Sequence, residues 1–185
     1  THISAATGLV AWSLVETWRN GKPTAVGMAT GAVAGLVGIT PGAGFVTPGA
    51  GMAIGAITGL LCYLSVQLKV SLRFDDSLDT FAVHGVGGTI GAILTGVFAS
   101  SELISSHPAG RILAENGRLA LIGGQFQAVL VAYGLAALGT LLIAVVLRGL
   151  GMPFRVPEEA ENLGVDVREH GEEAYAERIG SPQLH

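Results

Sequence analysis

The sequence predicts an all-α fold: a polytopic membrane bundle of five transmembrane helices followed by a polar tail. Three observations carry that prediction. Hydrophobic residues make up 50% of the chain and charged residues only 13%, and the mean hydropathy is +0.57, beyond the range of an ordinary soluble domain. Long stretches are nearly free of Lys, Arg, Asp and Glu, and a helix needs about 20 mostly apolar residues to cross the hydrocarbon core. Glycines number 28, and several recur at a four-residue spacing that places them on one face of a helix.

In order, the five apolar stretches are roughly 3–17, 24–40, 48–68, 78–100 and 119–147. The first is short at its start, Thr1 stands where an initiator Met would be, and no signal-peptide pattern opens the chain. The expectation is a chain that begins inside a longer protein. Short cytoplasmic loops retain basic residues. One set of span ends carries Arg19, Lys22, Lys69, Arg73, Arg148 and Arg155, whereas the other carries only Arg111 and Arg118. The first set is therefore expected on the cytoplasmic side, with the amino end outside.

Residues 1–150 read as the transmembrane region and 151–185 as a cytoplasmic tail. The tail holds eight acids (Glu158, Glu159, Glu161, Asp166, Glu169, Glu172, Glu173, Glu177) against Arg155, Arg168 and Arg178, a formal −5. Such a segment is either solvated chain or a surface for a partner. Cys62 is the single cysteine and cannot form an internal disulfide.

Packing is legible from the small residues. Gly27, Gly31 and Gly35 in the second span, Gly51, Gly55 and Gly59 in the third, and Gly87 and Gly91 in the fourth all recur every four residues. Each row makes a smooth groove into which a neighbouring backbone can settle. Pro41, Gly42, Gly44, Pro48 and Gly49 mark an uncharged turn between spans two and three. Trp12 reads as an internal packing residue and Trp18 as an interfacial anchor.

The fourth span contains the residue that most needs explaining. His84 stands in DDSLDTFAVHGVGGTIGAILTG, an apolar, glycine-rich helix. Asp75, Asp76 and Ser77 can cap its first turn, and Asp79 follows Asp76 at capping-box spacing. If the helix starts there, the eight residues from Asp76 to His84 rise about 12 Å, well into a core about 30 Å thick. An imidazole at that depth is either interhelical glue, bonded to a carbonyl or hydroxyl, or part of a polar path that offers a small solute one donor and one acceptor. Thr80 and Gly88, four residues to either side, give its face a small profile. Asp79 is five residues from His84, about 140° away around an α-helix. The two do not face each other as an acid–base pair would, which argues against an intramembrane enzyme.

This segment resembles the pore-histidine helix of the ammonium transporter family, the Amt and Mep branch, with its Asp pair, Asp, Phe and His-Gly-Val-x-Gly. GKPTAVGMATGAVAGLVGITPGAGFVTPGAG and RVPEEAENLGVDVREHGEEAY are similar to two further segments of that family. Together they cover nearly the whole chain. The resemblance implies the last five of eleven transmembrane helices in an ammonium-transporter fold of two inverted halves, with the span from Leu119 onward as the long closing helix. It implies transport of ammonium or ammonia, by a homotrimer in the cell membrane, through a narrow hydrophobic pore lined by two histidines.

His84 matches the second of those histidines, and the resemblance places its partner upstream of Thr1. His2 does not fill that role. Thr80 becomes a candidate pore-lining residue. Asp75, Asp76, Asp79, Gly85 and Gly88 become supports of the pore helix. In the tail, His170, Gly171, Glu172 and Tyr175 match a regulatory motif that communicates with PII-type signal proteins. No cofactor, metal or nucleic acid is implied. An ammonium sensor built on the same membrane fold is the alternative.

Overall fold

The computed structural model describes residues 1–172. Their helices run α1 (His2–Asn20), α2 (Ala25–Ile39), α3 (Pro48–Ser71), a π-helical segment (Phe81–Gly85), α4 (Val86–Phe98), α5 (Pro108–Gly149), α6 (Glu158–Leu163) and α7 (Val165–His170). The chain divides into two compact units, Thr1–Tyr133 and Gly134–His185.

Three of these helices are long and apolar enough to cross a membrane: Pro48–Ser71, Phe81–Phe98 and Pro108–Gly149. The other two expected spans differ for visible reasons. α2 has 15 residues, about 22 Å at 1.5 Å each, because Thr24 caps its start after Pro23 and a turn begins at Thr40. α1 carries a buried acid, Glu16, near its end.

α1, α2 and α3 pack as a triangle, and α4 lies against α2 and α3. The glycine rows do what their spacing promised. A Cβ on Gly8 would sit 2.6 Å from the Gly31 carbonyl oxygen, and one on Gly59 would sit 2.6 Å from the Gly8 carbonyl oxygen. A methyl at Gly35 or Gly55 would collide with the Ser4 carbonyl, and one at Gly91 with the Gly38 carbonyl. Gly51 departs from its row, with only the tip of Ile39 nearby at 3.7 Å.

Backbones this close allow side chains to bond across helices, where an apolar surround makes an unsatisfied polar group costly. Ser4 Oγ donates to the Gly35 carbonyl at 2.8 Å, and Thr7 Oγ1 to the Met52 carbonyl at 3.0 Å. Trp12, Ala34, Cys62, Tyr63 and Val83 form the central cluster, with the Trp12 and Tyr63 rings edge to face at 5.3 Å. Trp18, by contrast, is 85% exposed.

Across the opposite end, Ser100 N–H donates to the Phe45 carbonyl at 2.9 Å. α5 breaks at Gly117, whose φ of 80° is outside the helical region. Just past that break, the Arg118 guanidinium donates to the carbonyls of Gly96, Val97 and Ala99 at 3.3, 2.7 and 3.0 Å. It thereby closes the carboxyl end of α4, whose last carbonyls lack helical donors.

In the second unit, the remainder of α5 exposes Leu135, Leu138, Leu141, Leu142, Ile143 and Val145. A helix apolar on every side suits lipid or a protein interior, not water. Beyond it, Arg155 forks onto Glu161, Nε to Oε1 at 2.5 Å and Nη2 to Oε2 at 3.0 Å. That hydrogen bonding, aided by the guanidinium charge, holds Glu161 below the ordinary glutamate value.

Candidate functional site

The site begins in the loop between α3 and the π segment. Asp76 accepts from the Thr80 N–H with Oδ1 and from the Phe81 N–H with Oδ2, each at 2.9 Å. One carboxylate thus satisfies two free donors at the helix start. Lys69, from the last turn of α3, donates to the Asp76 carbonyl and pairs with the Asp79 carboxylate. The Phe74 and Phe81 rings meet at a tilt, centroids 6.1 Å apart, beside this linkage.

The expected capping box does not form. Asp79 adopts φ 54°, a left-handed conformation that a helical residue cannot have, and its carboxylate serves Lys69 rather than a helix amide. The helix therefore starts at Phe81, not at Asp75–Ser77. His84 falls in its first turn instead of some 12 Å along it. Asp75 is exposed and makes no side-chain hydrogen bond among the described residues.

From Phe81 to Gly85 the backbone is π-helical: the Val86 N–H reaches back five residues to the Phe81 carbonyl. Single π turns inside helices re-aim the side chains they carry and are concentrated at functional sites. Here Ala82 and Val83 point into the core, at 1% and 3% exposure, while Cys62 Sγ donates to the Val83 carbonyl at 3.8 Å. His84 is exposed on the other side, as is Thr80. Among the described residues, neither side chain has a hydrogen-bond partner.

The glycines around His84 play unequal parts. Gly85 is partly fenced, since a Cβ there would meet the Phe81 ring at 3.0 Å. Gly87 packs on Cys62 and Val37, and Gly88 opens on free space apart from Val37 at 4.0 Å. The surface beside the imidazole is consequently low.

Several contributors were not picked out from the sequence. In the sequence Lys69 reads only as a basic residue at a span end. Thr89, four residues on, and Tyr133, from α5, both meet the Gly85 carbonyl. Glu16, 7% exposed, accepts from the Thr24 N–H and Oγ at 3.1 and 2.9 Å. Its signal was present, because an acid near the end of an apolar span calls for a named partner.

The tail motif falls in the second unit. His170 ends α7 and is exposed. Gly171, at φ 67°, caps that helix with its N–H to the Val167 carbonyl at 3.0 Å, the left-handed stop that glycine accommodates most easily. Glu172 N–H approaches the Asp166 carbonyl at 3.4 Å. Tyr175 lies outside the described residues.

Comparison with known proteins identifies the family. The model of the Ammonium Transporter Family matches residues 1–175. An ammonium transporter of Bacillus subtilis is 43% identical over 180 residues, covering 97% of this chain and 44% of the relative. The ammonium transporter MEP2 of Saccharomyces cerevisiae is 37% identical over 96% of this chain and 37% of its own length. Among solved structures, one described as a sensor Amt protein superposes with a TM-score of 0.75 at 33% identity, covering 90% of this chain and 40% of that one. The crystal structure of Saccharomyces cerevisiae Mep2 gives a TM-score of 0.57 at 38% identity, covering 71% of this chain and 31% of that one. The chain thus spans less than half the length of these relatives.

Proposed function

The chain belongs to the ammonium transporter family, and from that membership we propose that the complete protein moves ammonium or ammonia across the cell membrane through a narrow apolar pore to which His84 and Thr80 contribute. The carrying observation is the placement of His84. A π turn directs its imidazole away from the core of α1–α4 onto an exposed surface, while Asp76 and Lys69 fasten the start of the same helix.

Charge selection follows from the surroundings. Ammonium and potassium are close in size, but only ammonium can shed a proton. A dry passage makes a bare cation costly, whereas a neutral imidazole offers one donor and one acceptor to a small polar molecule. Deprotonation at the mouth followed by passage along imidazoles therefore favours ammonia over metal cations. No catalytic residue is assigned, since this is transport and not an enzymatic reaction.

In the same reading the complete protein is a homotrimer. Its acidic tail, with α6, α7 and the Gly171 cap, lies in the cytoplasm and receives a PII-type signal protein. The second reading, an ammonium sensor, is favoured by the superposition on the sensor Amt protein. Expression of the complete protein in cells lacking ammonium uptake separates the two. Transport predicts restored growth on low ammonium; no growth, despite protein inserted in the membrane, would contradict transport and favour the sensor.

A further inference from the structure

Three oxygens meet beside the pore histidine. Thr89 Oγ1, on α4, lies 2.7 Å from the Gly85 carbonyl oxygen and 2.7 Å from Tyr133 Oη, on α5. Tyr133 Oη is itself 3.2 Å from the same carbonyl. Two hydroxyls supply two protons for these three contacts. The two short contacts take them as a chain: Tyr133 donates to Thr89, and Thr89 donates to Gly85. Successive donation polarises each bond and strengthens the next.

The accepting carbonyl sits at the junction between the π segment and α4. Gly85 is the last residue of the π segment and immediately follows His84. Gly88 touches little, so no bulky neighbour on that side fixes the helix. Sliding the π turn by one residue, or relaxing it to α geometry, would swing the imidazole by about 100° around the axis. A carbonyl anchored from a different helix resists that movement.

We propose that Tyr133 and Thr89 are positioning residues for His84, holding the junction between the π segment and α4 through the Gly85 carbonyl and so setting the direction of the imidazole. This rests on the reading of His84 as a pore residue. Neither residue needs to touch the transported species. Their effect falls on rate and selectivity through the histidine.

The test uses the complete protein in proteoliposomes, with ammonium flux, the ratio of ammonium to potassium flux and the pH profile of flux all measured. Tyr133→Phe keeps the ring and removes the donor. Thr89→Val removes the hydroxyl, and Thr89→Ser restores it. His84→Ala serves as the reference. Tyr133→Phe and Thr89→Val are each expected to lower flux or selectivity about fivefold, the factor one neutral hydrogen bond corresponds to, at unchanged amounts of folded protein. The double variant should do no worse than either single one, and Thr89→Ser should recover the parent values. If His84→Ala impairs transport while Tyr133→Phe and Thr89→Val change only thermal stability, the positioning role is wrong and the pore reading stands. If His84→Ala changes nothing, the pore reading itself fails. Should Tyr133→Phe not fold, the comparison of Thr89→Val with Thr89→Ser decides the question alone, with equal flux and selectivity in both overturning the proposal.

Discussion

Glu16 and Thr24 are joined twice, the carboxylate accepting the Thr24 backbone N–H at 3.1 Å and its hydroxyl at 2.9 Å. Thr24 Oγ1 in turn accepts from the Gly27 N–H at 3.0 Å, so the end of α1 caps the start of α2 through one threonine. Glu16→Ala would leave the Thr24 donors without their acceptor, at a cost of about 1–3 kcal/mol. Thr24→Ala would remove the cap, at about 1 kcal/mol. Thermal unfolding of the purified complete protein should show both losses, and the double variant should fall short of their sum because the two residues share one network.

The glycine contacts separate helix packing from mere flexibility. Gly91→Ala places a methyl against the Gly38 carbonyl, a backbone atom that cannot rotate aside, whereas Gly124 has nothing within 4 Å. Gly91→Ala is expected to destabilise by about 1–3 kcal/mol or more. Gly124→Ala should be neutral or slightly stabilising, by up to about 1 kcal/mol, through helix propensity. Yield and unfolding temperature of the two variants, compared side by side, check this.

At the start of the helix that carries His84, Asp76 and Lys69 make separable contributions. Asp76→Ala removes both acceptors from the Thr80 and Phe81 amides, and charge-assisted bonds of this kind contribute about 1.5–3 kcal/mol each. Asp76→Asn keeps one neutral acceptor and should fall between the parent and Asp76→Ala. Lys69→Met deprives Asp79 of its ion-pair partner and should expose the amides of residues 76–81. Hydrogen exchange over that segment reads both effects.

How much of this was legible in sequence depends on the range of the interaction. The starts of α2 and α3 fall beside the expected span starts at 24 and 48, where the structure shows Thr24 and Thr47 as caps and Pro48 in the first turn of α3. The glycine grooves followed from i to i+4 spacing. The start of the helix carrying His84 did not, because DDSLDT offers several residues that can cap a helix and the local pattern does not choose among them. What decides between them is Lys69, in the preceding helix, drawing Asp79 into a left-handed turn. His84 was legible as a residue needing a reason. The π turn that aims it, and the Tyr133–Thr89 pair 44 residues apart in sequence, depend on tertiary packing that no local pattern encodes.

The tail offers a prediction in pH. Arg155 holds Glu161 below the ordinary glutamate value. A carboxylate with a depressed folded pKa contributes stability at pH above its unfolded value and loses it as pH falls through the folded one. The Arg155–Glu161 fork should therefore persist at neutral pH and open in acid, below the ordinary glutamate range. Carboxyl NMR titration of Glu161 in the complete protein should show the depressed midpoint, and Arg155→Ala should return it to the ordinary value.

The central claim is that His84 lines the path of the transported species. Its most direct test is ammonium flux through His84→Ala in the complete protein, reconstituted in proteoliposomes beside the parent at matched protein content and with potassium flux measured in parallel. The account predicts a loss of ammonium flux of tenfold order or more, the scale of a lost functional contact of at least ~1.4 kcal/mol, or an opening of the path to potassium. Parent-like ammonium flux with potassium still excluded would contradict it.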